Sequence, residues 1–126
     1  MISIEKRVLL LSVLMLILFG CALSLKPQFV PLRDLPPQAL KTVIPDDVEV
    51  MSGEPPIGKE YVELAYIILD ESKVSPIMSM SVSDKDIIEM VRKEAANHGA
   101  DAVIRFKITG DHPARKATGV AIVYIQ

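Results

Sequence analysis

Between Ser83 and Thr109 the spacing of apolar residues changes from every third or fourth position to every second, and that switch leaves few folds open. Ser83 stands where a helix N-cap would, and Asp86 can answer it three residues on. Asp84, Asp86 and Glu89 complement the positive helix end. Ile87, Ile88, Val91 and Ala95 form one apolar stripe while Lys85, Arg92 and Lys93 face water. Asn97, His98 and Gly99 end the helix, with Gly99 suited to the left-handed position just past it. Ala95 and Ala96 are small enough to let the last turns lie close on a sheet. After Asp101 the pattern predicts a strand with Ala102, Ile104, Phe106 and Ile108 on one face and Val103, Arg105, Lys107 and Thr109 on a wet one.

The flanking segments extend this unit. A loop at Gly110 to Lys116 leads to Ala117 to Ile125, a strand apolar on both faces. Upstream, Asp47 to Met51 suits a short half-buried strand. YVELAYIIL, Tyr61 to Leu69, reads as a buried strand, although Tyr61, Leu64, Ala65 and Ile68 also fit a helical face. Asp70 to Ser83 is polar, serine-rich and broken by Pro76, so it reads as a loop. The expected architecture is α+β, a ββαββ unit over residues 46–126 with a four-stranded sheet and one helix packed on one face. One helix covers one face only, so Val120, Ile122 and Tyr124, or the face opposite them, need a second cover. Either the preceding segment or another subunit must supply it.

That preceding segment, Ser24 to Pro45, has prolines at 27, 31, 36, 37 and 45. Prolines this dense remove backbone donors and fix φ, so neither a helix nor a central strand runs through. Residues 21–45 therefore read as a tether, of which Ser24 to Pro45 reaches roughly 70 Å if extended and roughly 25 to 30 Å as a flexible coil. Phe29, Val30, Leu32 and Leu35 offer apolar surface by which part of it can pack on the domain.

The N-terminus has three parts: Met1 to Arg7 with Lys6 and Arg7 against Glu5, an apolar run from Val8 to Phe19 broken by Ser12, and Gly20 before Cys21. A basic start, an apolar stretch of about 7 to 15 residues and a small residue before the cut describe a signal peptide, here residues 1–20. The run is short against the roughly 20 apolar residues that a span needs, but it stretches to Leu25 if Gly20 and Ser24 are tolerated, which keeps an uncleaved inner-membrane anchor as the alternative. Both readings put residues 26–126 outside the cytoplasm, because Lys6 and Arg7 stay inside.

Leu18, Phe19, Gly20 and Cys21 resemble the lipobox of bacterial lipoproteins, with Phe19 standing where a small residue is usual. The resemblance implies diacylglycerol on the Cys21 thiol, cleavage before it and acylation of the new amine. Two or more acyl chains hold a protein stably at a membrane, and a lone thiol in an oxidising compartment is otherwise left unpaired. Ala22 stands where an inner-membrane retention signal would carry Asp, so the implied address is the outer membrane, facing the periplasm. The membrane, through acyl chains on Cys21, is thus the first expected partner.

VRKEAANHGADAVIRFKI, followed by a loop and GVAIVYI, resembles the signature of the YbjQ-like heavy-metal-binding family and related small envelope lipoproteins. The matches at Ala95, Ala96, Gly99, Ala100, Asp101, Ala102 and Val103 bear on fold. The resemblance implies a small α/β domain over roughly residues 48–125 that forms rings, which would suit an uncovered sheet face. The outer-membrane stress-sensor lipoproteins share the layout of anchor, proline-rich tether and small domain, but their domains rely on disulfides and this one has no cysteine.

Chemistry is sparse. GEPPIGK at 53–59 has the spacing of a phosphate-binding loop, yet Pro55 and Pro56 remove donors, Glu60 replaces the hydroxyl, and a strand follows. Without Lys6, Arg7 and Glu5, the chain's 14 basic and 16 acidic residues become 12 against 15, a mild acidity that argues against nucleic acid and anionic lipid surfaces as partners. His98, His112, Met78 and Met80 are candidate metal ligands, thioethers suiting copper(I) and imidazoles zinc or copper(II), although no ligand spacing of a known site is present. No nucleophile and base pair is recognisable, so no catalytic residue, enzyme activity or cofactor is expected. The expected function is a lipid-anchored binding or scaffold module, self-associating or docking a periplasmic protein. The alternative is an envelope metal or stress sensor.

Overall fold

The fold is taken from a computed structural model, which describes residues 3–20 (side chains to residue 14), 25–34 and 41–125. Its elements are α1 (Ile4–Gly20), β1 (Gln28–Pro31), β2 (Glu49–Val50), β3 (Tyr61–Asp70), α2 (Pro76–Ser79), α3 (Asp84–Asn97), β4 (Ala102–Thr109) and β5 (Lys116–Tyr124). Single 3-10 turns lie at Pro45–Asp47 and Glu71–Lys73. No helix among the described residues is long and apolar enough to cross a membrane.

The class is α+β, and the central ββαββ order is as the sequence predicts. The sheet, however, has five strands in the order β1-β3-β5-β4-β2, and α3 is accompanied by α1 and the single turn α2. The expected four-stranded sheet is corrected by β1, which comes from the stretch read as tether and pairs antiparallel with β3 from Gln28↔Ile68 to Pro31↔Ala65. β2 pairs with β4 in parallel, and β3, β5 and β4 form the antiparallel centre. The predicted loop at 70–83 contains two helical turns.

α3 is built as its sequence dictates. The Ser83 side chain accepts from the Asp86 N–H, and the Asp86 carboxylate accepts from the Ser83 N–H, a complete capping box. Ile87, Val91, Ala95 and Ala96 are buried on the sheet, and Gly99 takes φ +76° just past the helix end. The core between α3 and the sheet includes Val48, Leu64, Ile67, Val103, Ala121 and Val123.

β4 departs from simple alternation. The register with β5 shifts between Ile104 and Lys107, and Arg105 sits at φ +52°, the signature of a bulge. Ala102 and Ile104 therefore lie on the sheet face away from α3, while Phe106 and Ile108 swing onto the α3 side. The single apolar face predicted from Ala102 to Ile108 is two half-faces. Gly119 of β5 makes the swing possible, since a Cβ there would come 2.6 Å from Val103 Cγ1 and 3.4 Å from Phe106 Cδ2.

The second cover comes from within the chain. Met51 and Gly53 bond to β4 (Met51 N–H to Val103 O, Phe106 N–H to Met51 O, Arg105 N–H to Gly53 O), and the loop then returns to Tyr61. The segment that mimics a phosphate loop thus starts at the β4 edge of the sheet, and its Glu54 accepts from Arg105 and from the Tyr61 hydroxyl. On the outer face Ala102, Ile104, Val120 and Ile122 are buried with Met51, Tyr61 and Tyr124 packed against them.

Candidate functional site

Three places carry the polar and exposed apolar groups of this domain. At one end of the sheet, where β3 finishes and β5 begins, Glu71 and Arg115 form a buried ion pair. Arg115 Nε lies 3.1 Å from Glu71 Oε1 and 3.2 Å from Oε2. The same guanidinium donates to Asp84 at the start of α3 (2.9 Å) and to the Val82 carbonyl (2.7 Å). Glu71 N–H donates to the Arg115 carbonyl, and Arg115 N–H returns to the carboxylate at 3.2 Å. One pair therefore ties together the β3 exit, the β4–β5 hairpin and the α3 N-terminus. Hydrogen bonds from Arg115 outweigh burial and hold the Glu71 carboxyl at about 2, while the same bonds raise the Arg115 guanidinium above its ordinary value.

Beside this lock lies a cleft of about 430 Å³ whose lining includes Leu25, Lys26, Asp70, Lys73, Val74 and Lys116. Ser72 donates to Asp70 from both its hydroxyl and its N–H, which keeps that carboxyl below its usual value. Leu25 also packs against the core cluster of Leu69, Ile87 and Ala117, so the chain enters the domain at this end.

At the opposite end, Asp101 joins strands and the segment before β2. Its carboxylate meets Lys41 Nζ at 2.6 Å and accepts from the Tyr124 N–H at 2.9 Å. Burial, and then the nearby Glu49 and Asp101 charges, raise the Tyr124 phenol. Asp101 thereby fastens the start of β4 to the end of β5.

The third place is the outer sheet face. Val30, Tyr66, Val120 and Ile104 form one row across β1, β3, β5 and β4. Their exposures are 43%, 47%, 3% and 0%, so the cover stops between β5 and β3. An apolar half-face is left open.

The metal candidates are dispersed. His98 is the C-cap of α3, 3.1 Å from Glu94 Oε1 and stacked on Phe29. His112 Nδ1 is 3.3 Å from Glu71 Oε2, at the end of the domain where α3 begins. A 14-residue helix, about 21 Å long, separates the two histidines' surroundings. Met78 and Met80 are exposed on and just after α2. Among the described residues no three of His, Cys, Asp and Glu come together as a metal site. Cys21 lies outside the described residues. Sequence reasoning missed Glu71, Arg115 and Arg105, because a lone charge in a polar loop or on a wet strand face carries no local sign of a partner 42 to 44 positions away.

Comparison of the chain with family models, with curated proteins and with solved structures finds no match.

Proposed function

We propose that this chain is an envelope lipoprotein, anchored through acyl chains on Cys21 and facing the periplasm from the outer membrane. Its domain acts as a self-associating binding and scaffold module. The observation that supports the module is the row Val30, Tyr66, Val120, Ile104, in which burial falls away abruptly in the middle of an apolar sheet face. A second copy seated there would cover Val30 and Tyr66 as Met51, Tyr61 and Tyr124 cover Ile104 and Ile122. Growth along the β1 edge is disfavoured. Leu32 N–H donates to Leu64 O of β3, so in an antiparallel ladder residues 28, 30 and 32 address β3 and residues 27, 29 and 31 address the free edge. Two of those three are proline, which leaves Phe29 with the one outward N–H of the set.

Two measurements test the reading. The intact mass of the protein isolated from membranes is expected to correspond to residues 21–126 plus acyl chains, and Cys21→Ala is expected to abolish the acylated form. A mass that retains residues 1–20 would replace the lipoprotein with a signal-anchored protein. Sedimentation of the full chain in detergent is expected to show a dimer that Tyr66→Glu weakens at least about tenfold, about 1.4 kcal/mol. A monomer at all concentrations would overturn self-association.

A further inference from the structure

α2 is a single turn and cannot bury a helical stripe. Ser79 points inward and is fully buried, which leaves Ile77, Met78 and Met80 at 79%, 51% and 73% exposure. Isolated exposed apolar residues need no explanation, but three within four positions on one projecting turn form a patch. The charges at this end are sorted in a particular way. Asp70 is held by Ser72, Glu71 and Asp84 by Arg115, and Asp86 by Ser83. Among the described residues the lysines of the adjoining cleft, Lys26, Lys73 and Lys116, make no side-chain hydrogen bond to a carboxylate, Lys73 and Lys116 only adding charge beside Asp70, and the exposed Asp111 lies on the β4–β5 hairpin loop.

This is also the end at which the chain arrives. Leu25 lines the cleft with Lys73 and Val74, two residues before α2 begins. Four residues span at most roughly 14 Å, so Cys21 cannot be farther than that from Leu25. A bilayer that holds Cys21 therefore lies within reach of α2.

We infer that α2 is a lipid-inserting wedge. Resting on the anchored reading above, Ile77, Met78 and Met80 enter the boundary between headgroups and acyl chains of the phospholipid bilayer, and Lys26, Lys73 and Lys116 meet its phosphates. The driving force is apolar, so the mild acidity of the whole domain does not oppose it. In this pose the sheet stands up from the membrane with the open Val30 and Tyr66 face turned sideways, toward neighbouring anchored copies.

The chain has no tryptophan, so one substitution supplies a depth reporter. Met78→Trp and, as the control, Ile57→Trp on the loop at the other end of β3 are made in the full acylated chain. Each is reconstituted into phosphatidylcholine vesicles with or without lipids brominated near the headgroup end of the chains. Both proteins are expected to float with the vesicles. The indole of Met78→Trp should be blue-shifted and quenched about twofold by brominated lipid, and that of Ile57→Trp should be unquenched. Water-like emission from Met78→Trp in floating protein overturns the wedge and leaves the anchor standing. A blue-shifted indole in Met78→Trp that bromine does not quench overturns it in favour of a protein contact, and equal quenching of Ile57→Trp overturns the pose. Failure to float overturns the wedge and the anchor together.

Discussion

Phe29 and His98 stack face to face, with ring centroids 3.6 Å apart and planes within 5°. The contact joins β1 to the C-terminal end of α3, two segments that the sequence places in different parts of the chain. It adds a side-chain contact to the β3 pairing that makes a fifth strand of what reads as a spacer.

Removing that ring should release the strand. Phe29→Ala is expected to cost about 2 to 4 kcal/mol, somewhat under the range for a fully buried Phe because Phe29 is half-buried. Amide hydrogen exchange should show Val30 and Leu32 losing protection before β3 does. Equal loss of protection in β1 and the sheet centre would show that β1 is not a separable edge.

The Glu71 and Arg115 lock makes an acid-sensitive domain. The Glu71 carboxyl titrates near 2 when folded against an ordinary 4.5, so its stabilisation is complete above about pH 4.5 and fades as pH falls toward 2. Arg115→Ala leaves a buried carboxylate without its counter-charge and should cost about 3 to 5 kcal/mol at pH 7. Urea unfolding from pH 7 to 2 is expected to show a shallower acid dependence in Glu71→Gln than in the parent.

At Arg105 two effects oppose each other. Its bridges to Glu54 and Glu63 are exposed and contribute little, while a left-handed backbone costs an ordinary residue about 1 to 2 kcal/mol. Arg105→Gly should therefore be more stable than Arg105→Ala by about 1 kcal/mol. The reverse order would show that the left-handed backbone at this position carries no strain that glycine relieves.

Gly119 is a packing requirement. Its Cβ would meet Val103 Cγ1 at 2.6 Å, on a β-branched side chain held in the core. Gly119→Ala is expected to destabilise by about 1 to 3 kcal/mol, with the strongest chemical-shift changes at Val103 and Phe106.

Pro31→Thr gives the free edge a second outward N–H. Sedimentation should then detect association of a kind that Tyr66→Glu does not reverse. Unchanged behaviour would mean that the proline is not what blunts this edge.

Much of the fold was legible where signals are local. The Ser83 and Asp86 cap, the Ile87, Val91, Ala95 stripe and Gly99 define α3 within one stretch of sequence, and Ala117 to Tyr124 announces a strand buried on both faces. What stayed hidden depends on partners far away. Gln28 to Pro31 is too short and too rich in proline to read as a strand until β3 is beside it. The bulge at Arg105 leaves no mark in the alternation of Ala102 to Ile108, since it follows from the space at Gly119. Glu71 and Arg115 look solvated because their burial is tertiary, and Tyr66 looks like core because nothing in its own strand says that the cover ends one strand away.

The prolines at 27 and 31 bear on how assemblies of this domain would terminate. A sheet that adds copies at its edge has no natural stopping point, and it propagates as a fibre. A patch on one face that meets its own copy across a two-fold axis is used up by a single encounter. With β1 short of outward donors and β2 only two residues long, the geometry favours closed pairs over open-ended growth.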